Sequence, residues 1–267
     1  MNTKNIASAS CEPNSRPGTA EPHHYGEEYF KWQSEIGRFG GWADLSKFSR
    51  YIRDDMKVLD FGCGGGYLLA NIQCLEKIGI EINPVARAEA DRNGVRTCGS
   101  VAEIENGWAD IIISNHALEH CPHPLRELED LLPKLAFGGI AVFVFPCEAA
   151  KNRRRWDDPS HHLYSWSPMS AANLFSEAGF DVVESKIYLH MWPRRSVARL
   201  LRSIGGRFLF EAGCRLYGVM TYLNLTPVVA SQVRVVARRK VTEFREAPLF
   251  QRRPDASNYF HRKANCQ

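Results

Sequence analysis

The order of apolar and polar positions along the chain predicts strands and helices in turn. Val58, Leu59 and Phe61 follow polar Arg53, Asp54 and Asp55 and predict a short buried strand. The run breaks at Gly62, Gly64, Gly65 and Gly66. Tyr67–Glu76 then carries Leu68, Leu69, Ile72 and Leu75 at helical spacing. Lys77–Pro84 predicts a second buried strand, and Asn83–Pro84 begins a helix over Val85–Arg92. Gly94–Ser100 predicts a short third strand and Trp108–Ile113 a fourth. Pro124–Leu135 places Leu125, Leu128, Leu131, Leu132 and Leu135 on one side of a helix whose last turn is loosened by Pro133. A turn at Gly138–Gly139 leads into a fifth strand that ends at Pro146. A helix from Ser167–Pro168 to Ala178, a sixth strand over Gly179–Tyr188 and a last strand over Pro227–Arg239 complete the series. Such alternation predicts an open α/β sheet with helices on both faces.

Three stretches stand outside that pattern. Residues 1–24 are polar and proline-containing and predict a disordered segment, as does the polar tail over 241–267. The domain proper spans 25–240. Its start is punctuated by Tyr25, Tyr29, Phe30, Trp32, Ile36, Phe39 and Trp42 over two short helical segments, and Leu45–Ile52 then leads into the first strand. Two readings are open: a helix pair packed on the sheet edge, or an aromatic lid with Tyr25 or Tyr29 reaching a ligand. Residues 190–226 form a helical insertion before the last strand, with arginines from Arg194 to Arg215 among apolar residues. It reads as a cap over the site, or as a basic amphipathic patch for a membrane surface or an anionic lipid-linked acceptor.

Strand, glycine turn and helix in that order make the nucleotide-binding corner of an open α/β sheet. The glycines let the backbone turn sharply and a ligand approach closely. A dinucleotide fingerprint, G-x-G-x-x-G, would need a third glycine where Tyr67 stands. Asp60, two residues before Gly62, would repel a pyrophosphate but suits a ligand carrying positive charge. Glu81 lies about 20 residues after Asp60, the spacing of an acid that binds the hydroxyls of a ribose.

The D-x-G-x-G-x-G run of Asp60, Gly62, Gly64 and Gly66 resembles the first motif of the class I S-adenosylmethionine-dependent methyltransferases. Asp110, Leu118, Glu119 and His120 resemble the end of strand four in the same family. Leu135–Pro146 resembles its L-K-P-G-G step, with Ala136–Phe137 in place of Lys–Pro. His161–Gly179 is similar to a segment of small-molecule methyltransferases, including ones acting on sugars and glycans. The resemblance implies a Rossmann-like, seven-stranded sheet with strand seven antiparallel, and S-adenosylmethionine as cofactor. It places the cofactor on Asp60, Gly62, Cys63, Gly64, Gly66, Glu81, Ile82, Asn115 and His116. Ser100 and Val101 are expected to contact the adenine through their backbone, since Ser100 stands where the family often has Asp.

Candidate acid–base groups are His162, His120 and His116, each able to take a proton from a hydroxyl near neutral pH. Asp157, His161 and Tyr164 are expected to cluster with His162 beside the acceptor. Two roles are open for His162: a base, or the anchor of its loop. A metal reading of His116, His120, Cys121 and His123 is set aside, since no carboxylate–His pairing is visible in the sequence. The acceptor is expected to be a small molecule or a glycan- or lipid-linked group, methylated on oxygen. An NAD-dependent oxidoreductase is the first rival, disfavoured by Asp60 and the missing glycine. A non-catalytic scaffold is the second, disfavoured by the intact Asp60, Gly62, Gly64 and Glu81.

Composition narrows this further. With 267 residues, 44% hydrophobic and 24% charged, the chain is ordinary for a globular protein with one sizeable core. The 8 cysteines form no C-x-x-C pair and predict reduced thiols in a cytoplasmic setting rather than a disulfide framework. A net charge of +4 is too small to point to nucleic acid.

Overall fold

Strand β1 (Lys57–Phe61) is central because every second residue is buried on each of its faces. In the computed structural model, which describes residues 34, 37–148, 161–226 and 230–239, it pairs in parallel with β2 (Glu76–Ile80) and β4 (Ala109–Asn115). The seven strands run in the order β3-β2-β1-β4-β5-β7-β6, with β3 at Thr97–Cys98, β5 at Leu135–Glu148, β6 at Phe180–Tyr188 and β7 at Ala230–Arg239. Strand β7 is antiparallel to both neighbours, with Phe143 opposite Val235 and Ser185 opposite Val235 on the other side. The predicted doubly wound sheet is borne out.

Alternation sorts the core into two layers. Leu59, Phe61, Ile112, Phe143 and Phe145 face helices α4 (Pro124–Leu131) and α5 (Pro168–Glu177), meeting Leu128 and Phe175. Val58, Ile111, Ile113, Val142 and Val144 face the other way, onto Phe48 of the segment before β1, Leu68 and Leu69 of α2 (Tyr67–Ala70) and Ala90 of α3 (Pro84–Arg92). Burial on both faces is what gives these strands their near-continuous apolar sequence.

Three local expectations are corrected. The helix after the glycines ends at Ala70 instead of Glu76, because Lys77 Nζ takes the carbonyls of Leu69 (3.0 Å) and Ile72 (2.9 Å) and Asn71 takes that of Tyr67. Leu75 is accordingly exposed. Gly138–Gly139 is not a turn before β5 but an irregularity within it. Leu135 pairs with Ala109 and Ile140 with Ile111, and Gly138 takes a φ of 73° that favours glycine. Finally, helical residues 37–43 (α1) pack on the insertion rather than on a sheet edge. Phe39 and Trp42 meet Phe210 with ring centroids 5.6 and 4.9 Å apart.

The insertion is helix α6 (Arg195–Tyr222), broken at Gly205–Gly206, where Gly206 has a φ of 56°. Helix α4 ends at Leu131, short of the expected Leu135, and Pro133 lies in the 3-10 turn Leu132–Lys134 that replaces the last turn. The predicted terminal segments 1–24 and 241–267, Tyr25 and Tyr29, and Asp157 lie outside the described residues.

Candidate active site

In this sheet the chain leaves β1 toward β2 on one side and returns through β4 on the other, which opens a crevice at the carboxyl ends of both strands. A cavity of about 420 Å³ sits there. Its floor is Asp60, Gly62, Cys63 and Gly64, and one wall carries Asn115, His116, His120 and His162. Gly37, Gly40 and Gly41 of α1 with Trp192 form the opposite side. The roof over the glycine turn is therefore partly bare backbone: a Cβ on Gly41 would lie 2.2 Å from the Tyr67 carbonyl oxygen.

The glycine turn is held open by its own conformation. Gly62, Gly64 and Gly66 have φ of 75°, 54° and 71°, and a side chain on Gly62 would collide with Ala117. Glu81, just past β2, fixes the turn from the side. One carboxylate oxygen accepts the Gly64 N–H at 2.9 Å and the other the Asn83 N–H at 2.8 Å. Burial raises the Glu81 pKa above the usual carboxylate range, and these amides oppose that. Asp60 is buried, and desolvation together with the Glu81 charge pushes its pKa up to about 7. Desolvation and the same two carboxyls push the Cys63 thiol far up, so it is a neutral wall group.

These groups fit the cofactor that the sequence implies. Two acids whose charges repel across a buried turn are relieved by a cation, and S-adenosylmethionine carries a sulfonium and an ammonium. The Glu81 carboxylate accepts backbone N–H groups of Gly64 and Asn83 on its two oxygens, and a carboxylate's further lone pairs can accept a hydroxyl. Glu81, Ile82, Ser100 and Val101 lie outside the cavity wall itself. Ile82 is exposed, the Ser100 hydroxyl caps the turn Val101–Glu103 through the Ala102 N–H, and the Val101 side chain belongs to the core.

On the acceptor side, β4 ends in a strained turn: His116 has a φ of 58°, uncommon for a residue with a side chain. Its Nδ1 lies 3.2 Å from Oε1 of Glu119, which is fully buried. His162 Nε2 is 4.0 Å from the same oxygen, and the His120 and His162 rings meet edge-on with centroids 5.1 Å apart. Burial alone would raise the Glu119 pKa, but the bond and charge of His116, together with His120 and a backbone hydrogen bond, lower it and keep Glu119 ionised. Burial lowers the His120 pKa and favours its neutral form.

The carboxylate–His pairing absent from the sequence pattern is thus supplied by Glu119, and Glu119, His120 and His162 bring one ligand atom each within 4.8 Å of one another. Cys121 and His123 take no part. Burial pushes the Cys121 thiol up to about 12. His161 and Tyr164 also lie outside the wall. The loop is anchored by backbone: the Leu163 and Tyr164 N–H groups both donate to the Glu119 carbonyl.

Sequence reasoning missed a buried polar network on the roof. Asp44 and Lys47 lie on the 3-10 turn Asp44–Lys47, and Lys47 is 1% exposed. Lys47 Nζ is 3.1 Å from Asp44 and donates to Asn115 Oδ1 at 3.0 Å, while Asn115 Nδ2 and Trp192 Nε1 donate to Asp44. Burial would raise the Asp44 pKa, but Lys47 and His190 hold it well below the carboxylate range. The Asn115 amide therefore ties the roof to β4. A D-x-x-K pair one turn apart was the only signal in the sequence.

Comparison with known proteins agrees with this geometry. The family described as "Methyltransferase domain" matches residues 33–185, more than half of the chain. A "Ubiquinone biosynthesis O-methyltransferase" of Roseobacter denitrificans is 25% identical over 154 residues, 49% of this chain and 62% of that protein. The match thus spans less than two thirds of the relative's length. Among solved structures, an S-adenosylmethionine-dependent methyltransferase from Archaeoglobus fulgidus superposes with a TM-score of 0.57 at 19% identity, covering 79% of this chain and 100% of that one. Phosphoethanolamine N-methyltransferase 2 of Haemonchus contortus, in complex with phosphomonomethylethanolamine and S-adenosylhomocysteine, superposes with a TM-score of 0.54 at 13% identity, covering 82% and 58%. Fold, crevice and sequence match lead to one statement: the chain belongs to the methyltransferase-domain family, as an enzyme that uses S-adenosylmethionine.

Proposed function

We propose that the enzyme methylates a hydroxyl of a small or lipid- or glycan-linked acceptor. Asp60, Gly62, Cys63, Gly64 and Gly66 hold the cofactor at the end of β1, and Glu81 with Ile82 at the end of β2. Ser100 and Val101 border the adenine side, and Asn115 and His116 close the site from β4. Bound there, S-adenosylmethionine supplies a methyl on a good leaving group. What remains for the protein is to orient the acceptor and take its proton.

The observation that carries this reading is the convergence of His116, His120 and His162 on one wall with an ionised, buried Glu119 behind them. Glu119 Oε1 lies 3.2 Å from His116 Nδ1 and 4.0 Å from His162 Nε2, so one buried carboxylate orients the imidazoles of this wall. We assign the base to His162, with Glu119 as positioning residue and His120 as its neutral neighbour. The ubiquinone O-methyltransferase match supports oxygen as the acceptor atom.

The test is methyl transfer to a panel of phenols, sugar alcohols and amines, with the product's methyl located by mass spectrometry. His162→Ala is expected to lower turnover by about 10²–10⁴-fold while cofactor affinity and thermal stability hold. Methylation of amines alone would refute the hydroxyl reading. Normal turnover in the variant would refute the base.

A further inference from the structure

Helix α6 is apolar on two opposite sides. Its inner side is satisfied: Ala198, Phe210 and Cys214 are buried against Phe39, Trp42 and Trp192. On the outer side Phe208, Ala212, Leu216, Val219 and Leu223 recur one turn apart and all are exposed, Phe208 by 79% and Leu216 by 64%. Before the Gly205–Gly206 break, Val197, Leu200 and Ile204 repeat the pattern, with Ile204 70% exposed. Soluble monomers seldom leave so long an apolar stripe in water. A helix apolar all round normally has partners on both sides.

Charge selects the partner. Between residues 189 and 226 stand Arg194, Arg195, Arg199, Arg202, Arg207 and Arg215 against one acid, Glu211, and Glu211 pairs with Arg207 at 2.8 Å. Arg199 and Arg215 are exposed, whereas the Arg202 guanidinium lies over the Trp42 ring of the inner side, 4.3 Å from its centroid. A second copy of the chain would bring these arginines against their own kind. A nucleic acid would answer the charge and leave the stripe in water. An anionic bilayer answers both, taking apolar side chains at the acyl boundary and guanidinium groups at the headgroups.

We propose that the outer face of α6 docks on an anionic lipid bilayer. It lies in the interface instead of spanning it: among the described residues no helix is long and apolar enough to cross a membrane. The inner side of the same helix packs on α1 and on Trp192, both of which border the cavity, so docking would bring the site close to the headgroups. This surface requires nothing of the acceptor, and its test uses none.

Flotation of the full-length protein with phosphatidylcholine vesicles, with and without phosphatidylglycerol, tests it. Binding is expected only to the anionic vesicles. It should fall as salt shortens the screening length from about 10 Å at 0.1 M to about 3 Å at 1 M. Phe208→Ser with Leu216→Ser should weaken it at least about tenfold. Arg199→Glu with Arg215→Glu should weaken it by at least about 25-fold, at about fivefold per basic residue lost. Both variants should keep the thermal stability and cofactor affinity of the parent. No flotation at low salt, or flotation indifferent to both variants, overturns the proposal. It is also overturned if sedimentation shows a dimer that Phe208→Ser with Leu216→Ser dissociates, or if cross-linking shows residues 240–267 covering the stripe.

Discussion

Asp60 makes cofactor binding pH-dependent in a range where most carboxylates are silent. Its pKa of about 7 belongs to the cofactor-free protein, where burial and the Glu81 charge disfavour ionisation. A sulfonium or ammonium beside it favours the ionised form, so binding must expel the proton wherever Asp60 still holds one. With that pKa, about ten in eleven Asp60 side chains are ionised at pH 8 and about one in eleven at pH 6. Affinity should therefore fall about tenfold between those values, about 1.4 kcal/mol. Calorimetric titration with S-adenosylmethionine in buffers of different ionisation enthalpy reads both the affinity and the released proton. Asp60→Asn isolates the group from the other titratable side chains of the crevice. The variant should bind more weakly at pH 8 and lose most of the slope.

The same shift has an opposite effect on the empty protein. A carboxyl whose folded pKa lies above its unfolded value of 3.8 adds stability as pH falls from about 7 toward 4. Asp60→Asn should then raise the melting temperature of the cofactor-free protein at neutral pH, by about 2–4 °C for each kcal/mol recovered. Equal affinity at pH 6 and pH 8 would refute the argument. So would an Asp60→Asn variant that melts lower than the parent.

Two further outcomes follow from buried charges. Lys47→Met leaves Asp44 without its main partner and should cost roughly 3–5 kcal/mol in thermal unfolding, most of it regained in the double variant with Asp44→Asn; equal losses in both would refute the pairing. Chelator treatment should leave methyl transfer unchanged, since the acceptor's proton goes to a histidine and His116 answers the Glu119 charge. Activity lost to chelator and restored by a divalent cation would make Glu119, His120 and His162 a metal centre instead.

The sheet was legible because its signals are local. Val58 to Gly66 carries a strand and its turn within a few residues, and Asn83–Pro84 caps α3 through the Val85 N–H as the sequence predicts. Contacts that reach across the chain were not. Lys77 ends α2 by folding its ammonium back onto two carbonyls, which no periodicity in Tyr67–Glu76 records. The roof depends on pairs 68 and 148 residues apart, Lys47 with Asn115 and Asp44 with Trp192, so neither Asp44 nor Lys47 stood out. Glu119 was visible as part of a motif. Its pairing with His116 depends on the left-handed turn at His116, and its approach to His162 became visible only once the loop after residue 160 lay against it. The insertion's composition was plain in the sequence, whereas the division of its apolar residues into a packed and an exposed side required the position of α1.

The central claim, that the crevice between β1 and β4 holds S-adenosylmethionine, is tested most directly by titrating the protein at pH 8 with S-adenosylmethionine and, separately, with NAD. One-site binding of S-adenosylmethionine and no binding of NAD are predicted, with affinity for the former roughly 10–100-fold weaker in Glu81→Ala, which removes the acceptor of two strand-tip amides. Binding of NAD, or S-adenosylmethionine affinity unchanged in Glu81→Ala, would contradict it.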